Sequence, residues 1–261
     1  MEKSIVRTVL LYLFLQLVCI GLFYHSGRVP LSSIVVFSLA SILLHAGLYV
    51  FLYSCRNDFY NLSTNKPLER INLANRITLL RISSLPTMAF FLRHKEIFSL
   101  KLILPVLLVL LFLTDSFDGQ IARRGNQITK MGQMLDSISD YSLLAVISFI
   151  YYINRIVPHW LFYVIFSRLF LQALGMFMFI ILKEPLPTAS TWGGKVTIAT
   201  IMALYVLELV RMFTPSWLEI AFKSLEIMSG AIIVALSLEK VAIFRRHGKN
   251  TSSAKQTARQ G

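Results

Sequence analysis

The sequence predicts an all-α, polytopic membrane protein, and three observations carry that prediction. Of its 261 residues, 56% are hydrophobic and only 15% charged, with a mean hydropathy of +0.65, a balance that soluble domains of this length seldom show. The apolar residues are gathered into eight runs, most of them near the roughly 20 residues that a bilayer crossing requires. The formal net charge of +13 comes from 26 Lys and Arg against 13 Asp and Glu, and the basic residues lie between the runs and in the C-terminal tail. That placement suits loops beside anionic headgroups. Nucleic acid is not an expected partner, because no basic stripe or aromatic-rich soluble module accompanies the charge.

Taken in order, the runs are Thr8–Tyr24, Leu31–Tyr53, Ile77–Leu92, Leu100–Thr114, Met134–Ile153, Trp160–Leu182, Val196–Phe213 and Trp217–Phe244. Lys3 and Arg7 before the first run imitate a signal peptide. No small-residue cleavage pattern follows, so the run reads as a retained helix. The third and fourth runs are short and need flanking residues that face protein rather than lipid. Between the second and third runs, Leu62, Leu68, Ile71, Leu73 and Ala74 alternate with polar residues, which predicts an amphipathic interfacial helix over 56–76. The expected organisation is a two-helix extension at 1–55, that interfacial segment, a six-helix core at 77–246 and a basic disordered tail at 247–261. Arg and Lys dominate the N-terminus, Arg56–Arg76, Arg123–Lys130, Lys183–Lys195 and the tail, which places these on the cytoplasmic side together with both termini. Cys19 and Cys55 are too few for a disulfide framework or a zinc site. The five histidines show no ligand spacing.

Chemistry concentrates in Asp115–Asp140, DSFDGQIARRGNQITKMGQMLDSISD, which holds four of the five aspartates. On helices, Asp115 and Asp118 (i, i+3) share a face, as do Asp136 and Asp140 (i, i+4). Four carboxylates on apolar helices repel one another, and bound cations would let all of them ionise; oxygen-only ligation favours Mg²⁺ or Mn²⁺ over zinc. Loop decoration is the bland alternative, and the pairing inside apolar helices argues against it. Gly119 and Ala122 keep the helix surface shallow enough for a nucleotide to approach the backbone, Arg123 offers a bidentate phosphate donor, and Gly132 would end the connecting loop and let the next helix pack closely. Asn75, Thr78 and Arg81 fall on one face at the start of the first core helix.

The stretch fits D-x2-D-G-x2-A-R-x8-G-x3-D-x3-D at every fixed position and thereby resembles the CDP-alcohol phosphatidyltransferase family; Asn75, Thr78 and Arg81 resemble its N-x2-T-x2-R element. The resemblance covers roughly Ile71 to Phe244. It implies two metal ions on Asp115, Asp118 and Asp136, with Asp140 as the base toward an acceptor hydroxyl and possible shared ligand. It also implies a CDP site at Asn75, Thr78, Arg81, Asp118, Gly119, Ala122, Arg123 and Gly132, and a homodimer. The loop charges put the site at the cytoplasmic face, and the expected location is the cell inner membrane. The implied reaction moves a substituted phosphate from a CDP-linked donor to an alcohol, releasing CMP. CDP-diacylglycerol with a small polar alcohol such as glycerol phosphate leads. Transfer from CDP-choline or CDP-ethanolamine to diacylglycerol is the alternative, because Thr197 and Ile198 depart from the family's G-K-x-K-T pattern after Lys195, and Ser137 stands where glycerophosphate-type members often have proline. Lys195 and Arg168 are candidates for the polar-headgroup pocket; Arg168 could equally be a structural partner of Glu208. A divalent-cation or lipid transporter is the competing class, and it predicts acids near the membrane midplane on several helices.

Overall fold

The computed structural model describes the backbone of residues 1–25, 29–125, 127–181 and 192–257, and the side chains of these other than 98–102, 115, 116, 118, 123, 175–181 and 239–257. Among the described residues the protein is helical, without a β-strand, and its contacts gather into two units, Met1–Asn154 and Arg155–Gly261.

In the first unit, α1 (Glu2–His25) and α2 (Leu31–Ser54) form a hairpin. Helix α1 buries Ile5, Thr8, Val9, Tyr12, Gln16 and Ile20, a stripe at helical spacing, while Leu10, Phe14 and Leu22 stay exposed. A wide apolar exposure of this kind is what a lipid-facing helix presents. The Tyr12 hydroxyl donates to the Arg76 carbonyl at 2.9 Å, and the Ser4 hydroxyl accepts from the Ile71 amide at 3.1 Å, so α1 is tied to the start of α3 (Leu73–Ser83).

The amphipathic helix expected over 56–76 is not what forms. Arg56–Asp58 is a single 3₁₀ turn, the chain then runs irregularly, and helix resumes only at Leu73. The cause is local: the Asn61 side chain accepts the amides of Ser63 (2.8 Å) and Thr64 (3.3 Å), Asn65 takes a left-handed φ of 55°, and Pro67 lacks an amide. The segment is instead braced on the turn that follows α5 (Phe98–Arg124). The Leu62 amide donates to the Ile128 carbonyl at 2.9 Å, the Asn72 side chain donates to the Gln127 carbonyl at 2.9 Å, and Lys130 meets Asp58 at 2.7 Å.

The third apolar run is two helices, α3 and α4 (Leu85–Arg93). Pro86 cannot donate to the Ile82 carbonyl, so the first helix closes on Ser84, whose amide and hydroxyl bond back to Leu80 and Arg81. Helix α5 runs well past the predicted end at Thr114 and carries Asp115, Asp118, Gly119, Ala122 and Arg123; α6 (Lys130–Ile153) begins four residues earlier than its apolar run. Both pack against α3.

The second unit consists of α7 (His159–Ile181), α8 (Trp192–Arg211), a 3₁₀ turn at Ser216–Leu218 and α9 (Glu219–Thr257). Helix α9 packs on both α7 and α8. At the α8–α9 corner the Arg211 guanidinium bonds Glu208 at 3.1 Å, Glu226 at 2.8 Å and Glu219 as well. Arg168 is 8% exposed and donates to Gln172 at 3.2 Å, while Glu208 takes Arg211 as its cation. The segment from His247, expected as a disordered tail, continues α9 helically to Thr257; no proline interrupts it. Six helices are long and apolar enough to cross a membrane: Glu2–His25, Leu31–Ser54, Ile103–Ala122, Lys130–Ile153, Trp192–Arg211 and Ser216–Leu238, with His159–Leu174 a shorter apolar helix among the described residues. The protein is an all-α polytopic membrane protein, in which the third expected span is broken at Ser84.

Candidate active site

The site begins at two helix caps. Asn72 caps α3, its side chain accepting the Asn75 amide at 3.0 Å, and Thr129 caps α6, its hydroxyl accepting the Gly132 amide at 2.9 Å. The two starts then clasp: the Asn75 side-chain amide donates to the Thr129 hydroxyl at 3.1 Å. Gly132 lies in the first turn of α6 rather than at the end of the loop. A Cβ there would come within 2.6 Å of Asn75 Oδ1 and 2.8 Å of Thr129 Oγ1, so only glycine lets α3 and α6 approach this closely.

Further along the same contact, Arg81 of α3 lies under the second aspartate pair. Its Nε donates to Ser139 Oγ at 2.6 Å, and its Nη2 stands 3.5 Å from Asp136 Oδ1 and 3.4 Å from Asp140 Oδ1. The arginine is 1% exposed, Asp140 18% and Asp136 53%, so solvent exposure rises from a buried cation to a carboxylate open to water. The predicted spacing is realised: Asp136 and Asp140 project from one face and meet at a single guanidinium nitrogen. Arg81 was expected at the nucleotide; within the protein its guanidinium bonds Ser139 and faces the second aspartate pair. Asn75 and Thr78 are each 3% exposed, with Thr78 Oγ1 donating to the Ala74 carbonyl at 3.2 Å, so they form the wall between α3 and its neighbours.

The first aspartate pair and Arg123 lie on α5, with Gly119 and Ala122 half-buried beside them. The side chains of Asp115, Asp118 and Arg123 fall outside the described residues. Lys195 is exposed in the first turn of α8, and it and Arg168 belong to the second unit. Two contributors escaped the sequence reading, Thr129 and Ser139. Thr129 carries a usable signal, a hydroxyl residue directly before an apolar helical run; Ser139 looks like filler until its partner is seen.

Among the described residues no three acids, histidines or cysteines stand together as a metal site. Asp136 and Asp140 supply the oxygen-only donors that a hard divalent cation takes, and Asp136 stays accessible to water, while Arg81 already neutralises part of their charge.

A model of the CDP-alcohol phosphatidyltransferase family matches residues 71–238. Among curated proteins, the chain is 25% identical over 166 residues to a CDP-diacylglycerol–glycerol-3-phosphate 3-phosphatidyltransferase of Aquifex aeolicus, covering 63% of this chain and 90% of that one. Enzymes of the same name from Rickettsia bellii and Pectobacterium atrosepticum are 31% identical over 140 residues and 32% identical over 148. Each alignment covers 53% of this chain, and 75% and 77% of the relatives respectively. The matched span takes in both helices of the aspartate signature and the α3 face that packs against them, and with it this chain belongs to the CDP-alcohol phosphatidyltransferase family.

Proposed function

We propose that the protein transfers a phosphatidyl group from CDP-diacylglycerol to the primary hydroxyl of glycerol 3-phosphate, with release of CMP. Three relatives bearing that activity in their names support the choice of donor and acceptor. The observation that carries the chemistry is the convergence of Asp136 and Asp140 on Arg81 Nη2.

In the reaction the acceptor oxygen forms a bond to the phosphorus that bears diacylglycerol, the bond from that phosphorus to the bridging oxygen breaks, and CMP leaves with the electron pair. Asp140 takes the hydroxyl proton. The Arg81 guanidinium fixes the Asp140 carboxylate toward its partner helix, and Ser139 fixes Arg81. Gly119 and Ala122 give the nucleotide a shallow bed, Arg123 binds phosphate, and the Asn75–Thr129–Gly132 clasp holds the wall behind it. Asp115, Asp118, Asp136 and Asp140 are the residues that would hold two Mg²⁺ or Mn²⁺ ions, whose chemistry there is to neutralise diphosphate charge. The site faces the cytoplasm, and the membrane is the cell inner membrane.

The test is CMP release by purified protein in mixed micelles, with CDP-diacylglycerol or CDP-choline as donor and glycerol 3-phosphate, inositol, serine or diacylglycerol as acceptor. Rapid turnover is expected only with CDP-diacylglycerol and glycerol 3-phosphate, abolished by EDTA and by Asp115→Asn with the melting profile intact. Preferential use of CDP-choline and diacylglycerol would overturn the donor assignment. Near-parental turnover of Asp115→Asn would overturn the metal assignment.

A further inference from the structure

Two adjoining cavities lie at the end of the first unit where α1 begins, α2 ends and α3 begins. The larger, about 790 Å³, is lined by Leu10, Leu11, Phe14, Tyr49 and Tyr53, with Lys3 and Arg7 beside them. The smaller, about 340 Å³, is lined by Arg7, Thr8, Leu11, Tyr12, Arg70 and Arg76. Arg7 and Leu11 line both, so they read as one groove with an apolar limb and a cationic head. Glu2, the acid at its rim, has Arg56 at 3.5 Å. Lys3, Arg7, Arg70 and Arg76 are all exposed; three of them, Arg7, Arg70 and Arg76, surround the smaller hollow, where they repel one another unless an anion joins them.

We propose that this groove is a binding site for an anionic phospholipid, its headgroup phosphate taken by Arg7, Arg70 and Arg76 and an acyl chain laid along Leu10, Leu11 and Phe14. Charge complementarity selects an anion, and the apolar limb continuous with the exposed flank of α1 selects one that carries a hydrocarbon tail. The site is distinct from the aspartate cluster. Consecutive residues of α3 face different neighbours, Asn75 bonding Thr129 and Arg76 lining the groove beside α1, so a helix separates the two. The inference goes beyond the proposed reaction and holds whatever that reaction is. It gives the α1–α2 hairpin, which precedes the family match at residue 71, a task of its own.

The experiment uses the full chain, delipidated in detergent and mixed with phosphatidylglycerol or phosphatidylcholine, with bound lipid counted by native mass spectrometry. Phosphatidylglycerol should be retained in preference. Arg7→Gln/Arg76→Gln should weaken its retention about thirtyfold, as loss of two surface cations implies, and leave phosphatidylcholine unchanged; Arg7→Lys/Arg76→Lys should keep most of it. Equal retention of the two lipids by the parent overturns the proposal, as does undiminished phosphatidylglycerol binding by the glutamine variant. Displacement of the lipid by millimolar inorganic phosphate overturns the lipid assignment in favour of a free-phosphate site. A readout with the arginines intact is Leu10→Trp, whose fluorescence should be quenched more by brominated phosphatidylglycerol than by brominated phosphatidylcholine; equal quenching overturns the proposal.

Discussion

Arg81→Met replaces a buried cation by an apolar side chain of similar length and leaves Asp140 facing a void of positive charge. Breaking a buried ion pair by removing one partner costs about 3–5 kcal/mol. Asp136 is 53% exposed and regains water, so its share is that of a surface pair, and the loss falls chiefly on Asp140 at 18% exposure and on the 2.6 Å bond to Ser139. The low end of the range, about 3 kcal/mol, is therefore expected, corresponding to roughly 6–12 °C in melting temperature for a chain of this size. The assay is thermal unfolding in detergent with EDTA, so that added metal does not substitute for the lost charge. The double variant Arg81→Met/Asp140→Asn removes both charges and should recover about 1–3 kcal/mol relative to the sum of the single changes. Strict additivity, or an Arg81→Met protein melting within about 1 °C of the parent, would refute the ion pair as the organiser of this face.

Gly132→Ala puts a methyl carbon 2.6 Å from Asn75 Oδ1, so α3 and α6 should part, with about 1–3 kcal/mol lost in melting experiments and CMP release falling with it. Gly230→Ala meets the Trp160 ring at 2.6 Å and should destabilise the α7–α9 contact by a similar amount, read by near-ultraviolet circular dichroism of the tryptophan. Thr129→Ala removes the cap of α6 and its bond to Asn75, for about 1 kcal/mol in the same melting assay. Orientation is testable at Cys55, just beyond the end of α2, where burial and the Asp58 carboxylate both push the thiol pKa up. A raised pKa shrinks the thiolate fraction at neutral pH, so an impermeant maleimide should label it slowly there and faster as pH rises. Labelling is expected in inverted vesicles only; labelling from the opposite face reverses the assigned topology.

The all-helical membrane architecture was legible because hydropathy is a property of stretches, which survive errors of a few residues at each end. The i, i+4 geometry of Asp136 and Asp140 was legible for a similar reason, since helical periodicity alone decides which side chains share a face. What Arg81 bonds was not, because that depends on the register between α3 and α6, which no local pattern encodes. The segment 56–76 misled by imitation: its leucines are spaced like an amphipathic helix, while one asparagine side chain at Asn61 and one proline at Pro67 redirect the backbone. Pro86 was visible throughout, yet the run Ile77–Leu92 reads as continuous when composition alone is weighed; the missing amide divides it.

The brace between residues 58–72 and the turn at 127–130 crosses the point where the family match begins. The family match starts at Ile71, yet Asp58 and Leu62, both upstream, hold Lys130 and Ile128 at the mouth of α6. The matched span and the hydrogen-bonded unit therefore have different edges. A shortened chain cut at residue 71 would keep every signature aspartate and lose the Asp58–Lys130 and Leu62–Ile128 bonds at the start of the helix that carries the second pair.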